Sequence, residues 1–158
     1  TYTYTGKVIT PAITVKGSNG KAIAKSNYTV TYAKGRKNVG KYKVTVTFKG
    51  NYKGAKAFTF KINPVATTVN KLVAGEKSLK VTFAKKTKQV TGYEVQYATN
   101  KNFKSAKTQN VKSYKTTSVT LKKLTAKKTY FVRVRTYKTV GKTRYYSPWS
   151  KASFKKTK

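Results

Sequence analysis

The chain has 158 residues, with 37 Lys and Arg against 2 acids, a formal charge of +35, and no His, Cys, Met or Asp. Two scattered glutamates, Glu76 and Glu94, cannot cage a hard cation, zinc ligands are missing, and the groups that do most acid–base chemistry near neutral pH are almost gone. No catalytic site, metal or cofactor is therefore expected, and without cysteine the compartment cannot be read from disulfides.

From the N-terminus, KGSNGK (16–21) supplies a first turn. NYTVTY (27–32) places Tyr28, Val30 and Tyr32 on one face, the period of a half-buried strand. GRKNVGKY (35–42) imitates the phosphate-loop pattern G-x-x-x-x-G-K-[ST], with Gly35, Gly40 and Lys41 in place. A phosphate loop needs Ser or Thr after that Lys and a helix beyond it. Here Tyr42 follows, and KYKVTVTFK (41–49) alternates as a strand, with Tyr42, Val44, Val46 and Phe48 on one face. The stretch is expected to be a hairpin loop.

KGNYKG (49–54) turns the chain into AFTFKI (57–62), whose Phe58, Phe60 and Ile62 share a face. KINPVATTVNKL (61–72) reads as a joint, because Pro64 cannot donate to a central ladder. Beyond it, SLKVTF (78–83), GYEVQY (92–97) and TYFVRVRTY (129–137) alternate again, while no segment holds an apolar stripe of helical period. The expected fold is all-β: two tandem antiparallel β-sandwich modules, over residues 1–63 and 64–158. Composition alone also suits a disordered chain, but aromatics are 13% of the residues and such alternation has no use in disorder.

Phe83 in LKVTF, GYEVQY, the pair Leu124 and Tyr130 in LTAKKTYFVRV, and YSPWS (146–150) together resemble a fibronectin type III domain. The resemblance implies a tyrosine corner, in which Tyr130, placed after Leu124, bonds back to the chain, with Phe83 where the family usually has Trp. YSPWS resembles the WSxWS element of related sandwiches, which implies Arg133 and Arg135 stacked on Trp149. Each such cation–π contact is worth about 0.5–1 kcal/mol when exposed. Glu94 is expected to point outward beside these arginines, in an exposed pair worth at most about 1 kcal/mol.

In the first module, YTGKVITPAITV (4–15), NYTVTYAKG (27–35), NVGKYKVTVTFKGNYKG (38–54) and AFTFKI resemble an immunoglobulin-like repeat of Gram-positive bacterial surface proteins. Asn27 stands where related repeats often carry Asp. Together the two likenesses imply a secreted or cell-wall-attached protein. No apolar run approaches the roughly 18 residues of a membrane span. The missing initiator Met reads as a monomeric internal segment of a larger multidomain protein.

The lysines are the main functional signal. A neutral mixture of charges solubilises a surface equally well, so the near-elimination of acids points to a polyanionic partner or to deliberate supercharging. Four of the basic residues are Arg, the residue that gives bidentate phosphate and base recognition, so the composition suits diffuse, sequence-blind attraction. The expected function is a non-catalytic extracellular adhesion module for teichoic acid, glycosaminoglycan, extracellular DNA or acidic surfaces. Local density puts the richest patch at Arg36, Lys37, Lys41, Lys43, Lys49 and Lys53. Two alternatives stand beside it. One is a structural spacer of a cell-wall protein. The other is a sequence-nonspecific nucleic-acid binder that stacks bases on Tyr52, Phe103 and Tyr114. Area scaling gives roughly 8,000 Å² for one compact globule of this mass, hence charges spaced by more than the Debye length of about 8 Å.

Overall fold

The computed structural model describes residues 1–158 and is all-β, with twelve strands and a single 3-10 turn at Lys25–Asn27. Two compact units divide the chain, Thr1–Ile62 and Asn63–Lys158. The accessible surface is 10247 Å², larger than the area expected for one globule. Two small units bury a smaller fraction of their chain than one large unit does.

In the first unit, β1 (Tyr2–Thr3), β4 (Ala55–Asn63), β3 (Gly40–Phe48) and β2 (Tyr28–Tyr32) form one sheet in that spatial order. Val30 and Tyr32 lie opposite Val46 and Val44. Phe58 and Phe60 lie opposite Val44 and Tyr42. The alternating residues thus share one inner face, as period 2 requires. The layer over that face is an extended segment, residues 4–24, with one isolated bridge between Lys16 and Ala22. The Tyr32 hydroxyl donates to the Pro11 carbonyl at 2.6 Å, and the Ile9 N–H donates to the Arg36 carbonyl at 3.1 Å. These bonds tie the segment down without a second regular sheet.

In the second unit, β5 (Val69–Gly75), β6 (Ser78–Phe83) and β9 (Ser118–Leu121) form one sheet. The other runs β11 (Thr143–Tyr146), β10 (Thr129–Val140), β7 (Gly92–Ala98), β8 (Lys107–Val111), with β12 (Ser153–Lys156) also on β10. Leu79, Val81, Phe83, Tyr93, Val95, Leu121, Val132 and Val134 fill the space between the sheets. Burying such side chains is worth about 1.5–3 kcal/mol each. Phe83 packs on Tyr93 with ring centroids 4.6 Å apart.

Strand β10 has twelve residues and two successive neighbours on one side. Thr129–Val132 pairs with β12, and Tyr137–Val140 pairs with β11. Between those stretches, YSPWS completes the ladder with side chains. Ser147 Oγ accepts the Thr136 N–H at 3.0 Å and Ser150 Oγ accepts the Val134 N–H at 3.0 Å. The reverse bonds, Ser147 N–H to the Thr136 carbonyl and Ser150 N–H to the Val134 carbonyl, measure 3.0 and 2.8 Å. Pro148 needs no donor at that point. The serines therefore hold the segment against β10 and position Trp149 between them.

Candidate polyanion surface and the arginine–aromatic stack

The loop GRKNVGKY connects β2 to β3, and its carbonyls are turned to a phenol. The Tyr42 hydroxyl lies 2.9 Å from the carbonyl oxygens of both Gly35 and Asn38 and donates to one at a time. Gly35 sits at φ 78°, a conformation a Cβ disfavours, and the Asn38 N–H closes a turn onto its carbonyl at 3.1 Å. The strand that follows leaves no helix to receive a phosphate.

The six cations expected to form a patch do not come together. Lys37, Lys41 and Lys43 stand at one end of β3, and Lys49 and Lys53 follow its other end, about 25 Å away at the rise of a strand. Sequence density is not spatial density in a hairpin. Its register instead brings Lys61 opposite Lys41, a neighbour that pairing AFTFKI against KYKVTVTFK could have revealed. Arg36 also departs from expectation. Its guanidinium lies 4.9 Å from the Tyr32 ring, donates from Nη1 to the Ala33 carbonyl at 3.0 Å, and keeps a buried, unpartnered Nε. It braces the loop.

The other three arginines build a stack on the outer face of the second unit. Arg133 lies between Phe103 (4.0 Å) and Trp149 (4.8 Å). Arg135 lies between Trp149 (4.2 Å) and Tyr146 (3.9 Å), and Arg144 covers Tyr137 at 4.5 Å. Cross-strand register supplies the anchors, Arg133 opposite Gln96 and Arg135 opposite Glu94. Arg133 Nε donates to Gln96 Oε1 at 2.7 Å. Arg135 donates from Nε and Nη2 to Glu94 Oε2 at 2.9 and 2.7 Å. Burial lowers the Arg133 pKa, and the like charge of Arg135 lowers it further.

Glu94 corrects the expectation of an exposed pair. It does point to the outer face, yet it is 6% exposed, because the stack roofs it. A second guanidinium, Arg144, reaches it at 3.8 Å and donates to Asn110 at 3.3 Å. Alternation assigned Glu94 its face but carried no information about what covers that face. Gln96, Arg144 and Tyr146 were missed for the same reason. Pairing YEVQY antiparallel to VRVR would have matched Glu and Gln to the two arginines.

Leu124 and Tyr130, the residues expected to form a tyrosine corner, are both buried within the core. The Tyr130 hydroxyl accepts the Thr125 N–H at 3.0 Å. Of the three aromatics considered for base stacking, Phe103 faces Arg133 and Tyr114 packs against the core. Tyr52 is exposed, with its ring 6.3 Å from Phe48.

With the arginines so engaged and Arg144 the one exposed among them, the positive surface is made almost entirely of lysine. Every lysine except Lys86 and Lys138 is exposed, in both units and on every sheet. Residues 64–153 match the family described as Fibronectin type III domain. Among solved structures, the chain is similar to a "Myokine structure" (23% identity, TM-score 0.44, covering 58% of this chain and 90% of that one). It is also similar to a crystal structure of chicken CNTN1 FN1-FN3 domains (25%, 0.49, 76% and 42%). A third is a computer-redesigned β-sandwich protein (21%, 0.44, 55% and 87%). No curated protein matches.

Proposed function

This chain belongs to the fibronectin type III domain family, through its second unit, and on that premise we propose that it is a non-catalytic extracellular module attaching to anionic polymers. Domains of this family are commonly extracellular binding and scaffold modules within larger proteins. The finer reading is our own: the first unit is an immunoglobulin-like repeat of the kind found on Gram-positive surfaces, and the polymer is a teichoic acid, a glycosaminoglycan or extracellular DNA.

One observation carries it. Apart from Arg144, the exposed cations are lysines spread over both units, while each arginine is engaged by aromatic rings and hydrogen-bond acceptors. Mobile ammonium groups attract a polyanion as point charges and select no geometry. Affinity then comes from counterion release and falls log-linearly with salt. The engagement of Phe103 and Tyr114 argues against a base-stacking groove.

The test is charge neutralisation at two places. One variant changes Lys37, Lys41, Lys43, Lys49, Lys53 and Lys61 to Gln; the other changes Lys101, Lys104, Lys107, Lys112, Lys115 and Lys122. Distributed attraction predicts similar losses of heparin affinity and of salt slope in both. Abolition by one set and indifference to the other would place binding in a discrete site instead.

A further inference from the structure

Near the end of β7 the second unit holds a cavity of about 580 Å³, within the range of about 300–1,000 Å³ typical of small-molecule sites. Antiparallel register sets Lys107 of β8 opposite Tyr97 of β7. Alternation from Tyr93 and Val95 keeps both on the inner face. Tyr97 packs against the border of the core, its ring 6.3 Å from that of Tyr130 and inclined to it by 55°. The two rings and Leu124 supply the apolar part of the lining.

The loop from β7 to β8 lines the cavity as well, and its shape is fixed in advance. The Asn100 side chain donates from Nδ2 to the Lys104 carbonyl and accepts the Lys104 N–H at Oδ1, both at 2.9 Å. Phe103 within that clip lies against the Arg133 guanidinium at 4.0 Å. A wall already ordered loses little freedom when a ligand arrives. Three exposed lysines, Lys104, Lys107 and Lys123, line the same space, and no acid does. They come from the loop, from β8 and from the segment between β9 and β10, so the fold rather than local sequence density gathers them.

We infer that this cavity binds a short acidic saccharide, one whose ring carries a carboxylate or a sulfate. An aromatic ring offers an apolar surface to the C–H face of a sugar. The Asn102 amide and the Ser105 hydroxyl, both in the lining, can donate to and accept from its hydroxyls. The lysines meet its charge as adaptable point charges. A polyol phosphate has the charge but no apolar ring face. A nucleobase needs a flat platform, whereas two inclined rings make an angled floor that suits a puckered ring. The site goes beyond the polyanion reading and does not rest on it. A long polymer is held by lysines over the whole surface, whereas a disaccharide can place its few charges only where lysines and an apolar floor coincide.

The experiment titrates the intact, isotopically labelled chain with a sulfated disaccharide of a uronic acid and a hexosamine. Saturable shifts are expected for the amides of residues 97–107 and of Lys123 and Leu124. Few charges are paired, so salt should weaken this binding much less than it weakens heparin binding. The desulfated, carboxyl-reduced disaccharide and glycerol phosphate should each bind at least about tenfold more weakly. The sulfated disaccharide should lose as much against Lys107→Glu. Lys43→Glu makes the same change of net charge at an exposed position of the first unit and should leave its binding unaltered. Lys107 is exposed on an edge strand, and unchanged amide shifts elsewhere will report that its variant is folded. Equal binding of glycerol phosphate, tighter binding of a thymidine dinucleotide, or equal losses in the two lysine variants would each overturn the proposal. Heparin is scored apart. Heparin binding without disaccharide shifts would overturn this site alone, and disaccharide shifts without heparin binding would leave it standing.

Discussion

Glu94 holds Arg135 through one carboxylate oxygen and draws Arg144 toward the other. Its partners are pinned in turn by Trp149, Tyr146 and Tyr137. Removing one member of a covered ion pair leaves the other charges poorly solvated. Glu94→Gln should therefore cost about 1–3 kcal/mol of unfolding free energy in urea. It should also alter the fluorescence of Trp149, the one tryptophan. A loss within error would mean that the stack is held by its rings alone. Three phenols add a pH dependence. Burial raises the pKa of Tyr93, against a lowering backbone bond from Lys86. It raises Tyr97, helped by Tyr130. It raises Tyr137 against the lowering effect of Arg144, with Glu94 and Tyr146 adding to the rise. The unfolded chain loses these protons first, near the ordinary value of 10.0. Their contribution to stability is thus complete below that pH and is lost as pH climbs through the folded values. Phenolate absorbance of the folded protein should lag that of the urea-unfolded chain. Coincident titrations would show that these rings are solvated.

At the scale of elements, strand β10 depends on two serines for the middle of its ladder. Ser147→Ala leaves the buried Thr136 N–H without its acceptor, a loss of about 1–3 kcal/mol. Ser147→Thr, which keeps the hydroxyl, should recover much of it. Equal losses in both would point to packing, not to the hydrogen bond. The strands legible from alternation were those with apolar residues at every second position: β2, β3, β4, β6, β7 and β10. Strand β8, KTQNV, is exposed except at Val111, and β12 keeps Phe154 in solvent. Edge strands with two wet faces have no hydrophobic period to read. The start of β5 was blurred likewise, since a register shift between Val69 and Lys71 breaks its alternation. The stack was legible in type, from Arg133, Arg135 and Trp149. It was not legible in extent, because Phe103, Tyr146 and Arg144 reach it only through loops and a neighbouring strand.

Over the whole molecule, 10247 Å² of surface carries the charge of +35, a mean spacing of about 17 Å against a Debye length of about 8 Å at physiological salt. The charges largely ignore one another there and repel in dilute buffer, so the melting temperature should fall when salt is removed. An unchanged melting temperature would mean that the lysines reorient without cost. On the proposed reading, the separation of roles between arginine and lysine would make adhesion a property of the surface as a whole, with single charges such as Lys41 replaceable. The most direct measurement is a titration of the intact chain against heparin, duplex DNA and teichoic acid across a salt series. Distributed lysine attraction predicts straight, parallel log–log lines with similar affinity per polymer charge. A strong preference for one polymer, or an affinity that salt leaves unchanged, would contradict it.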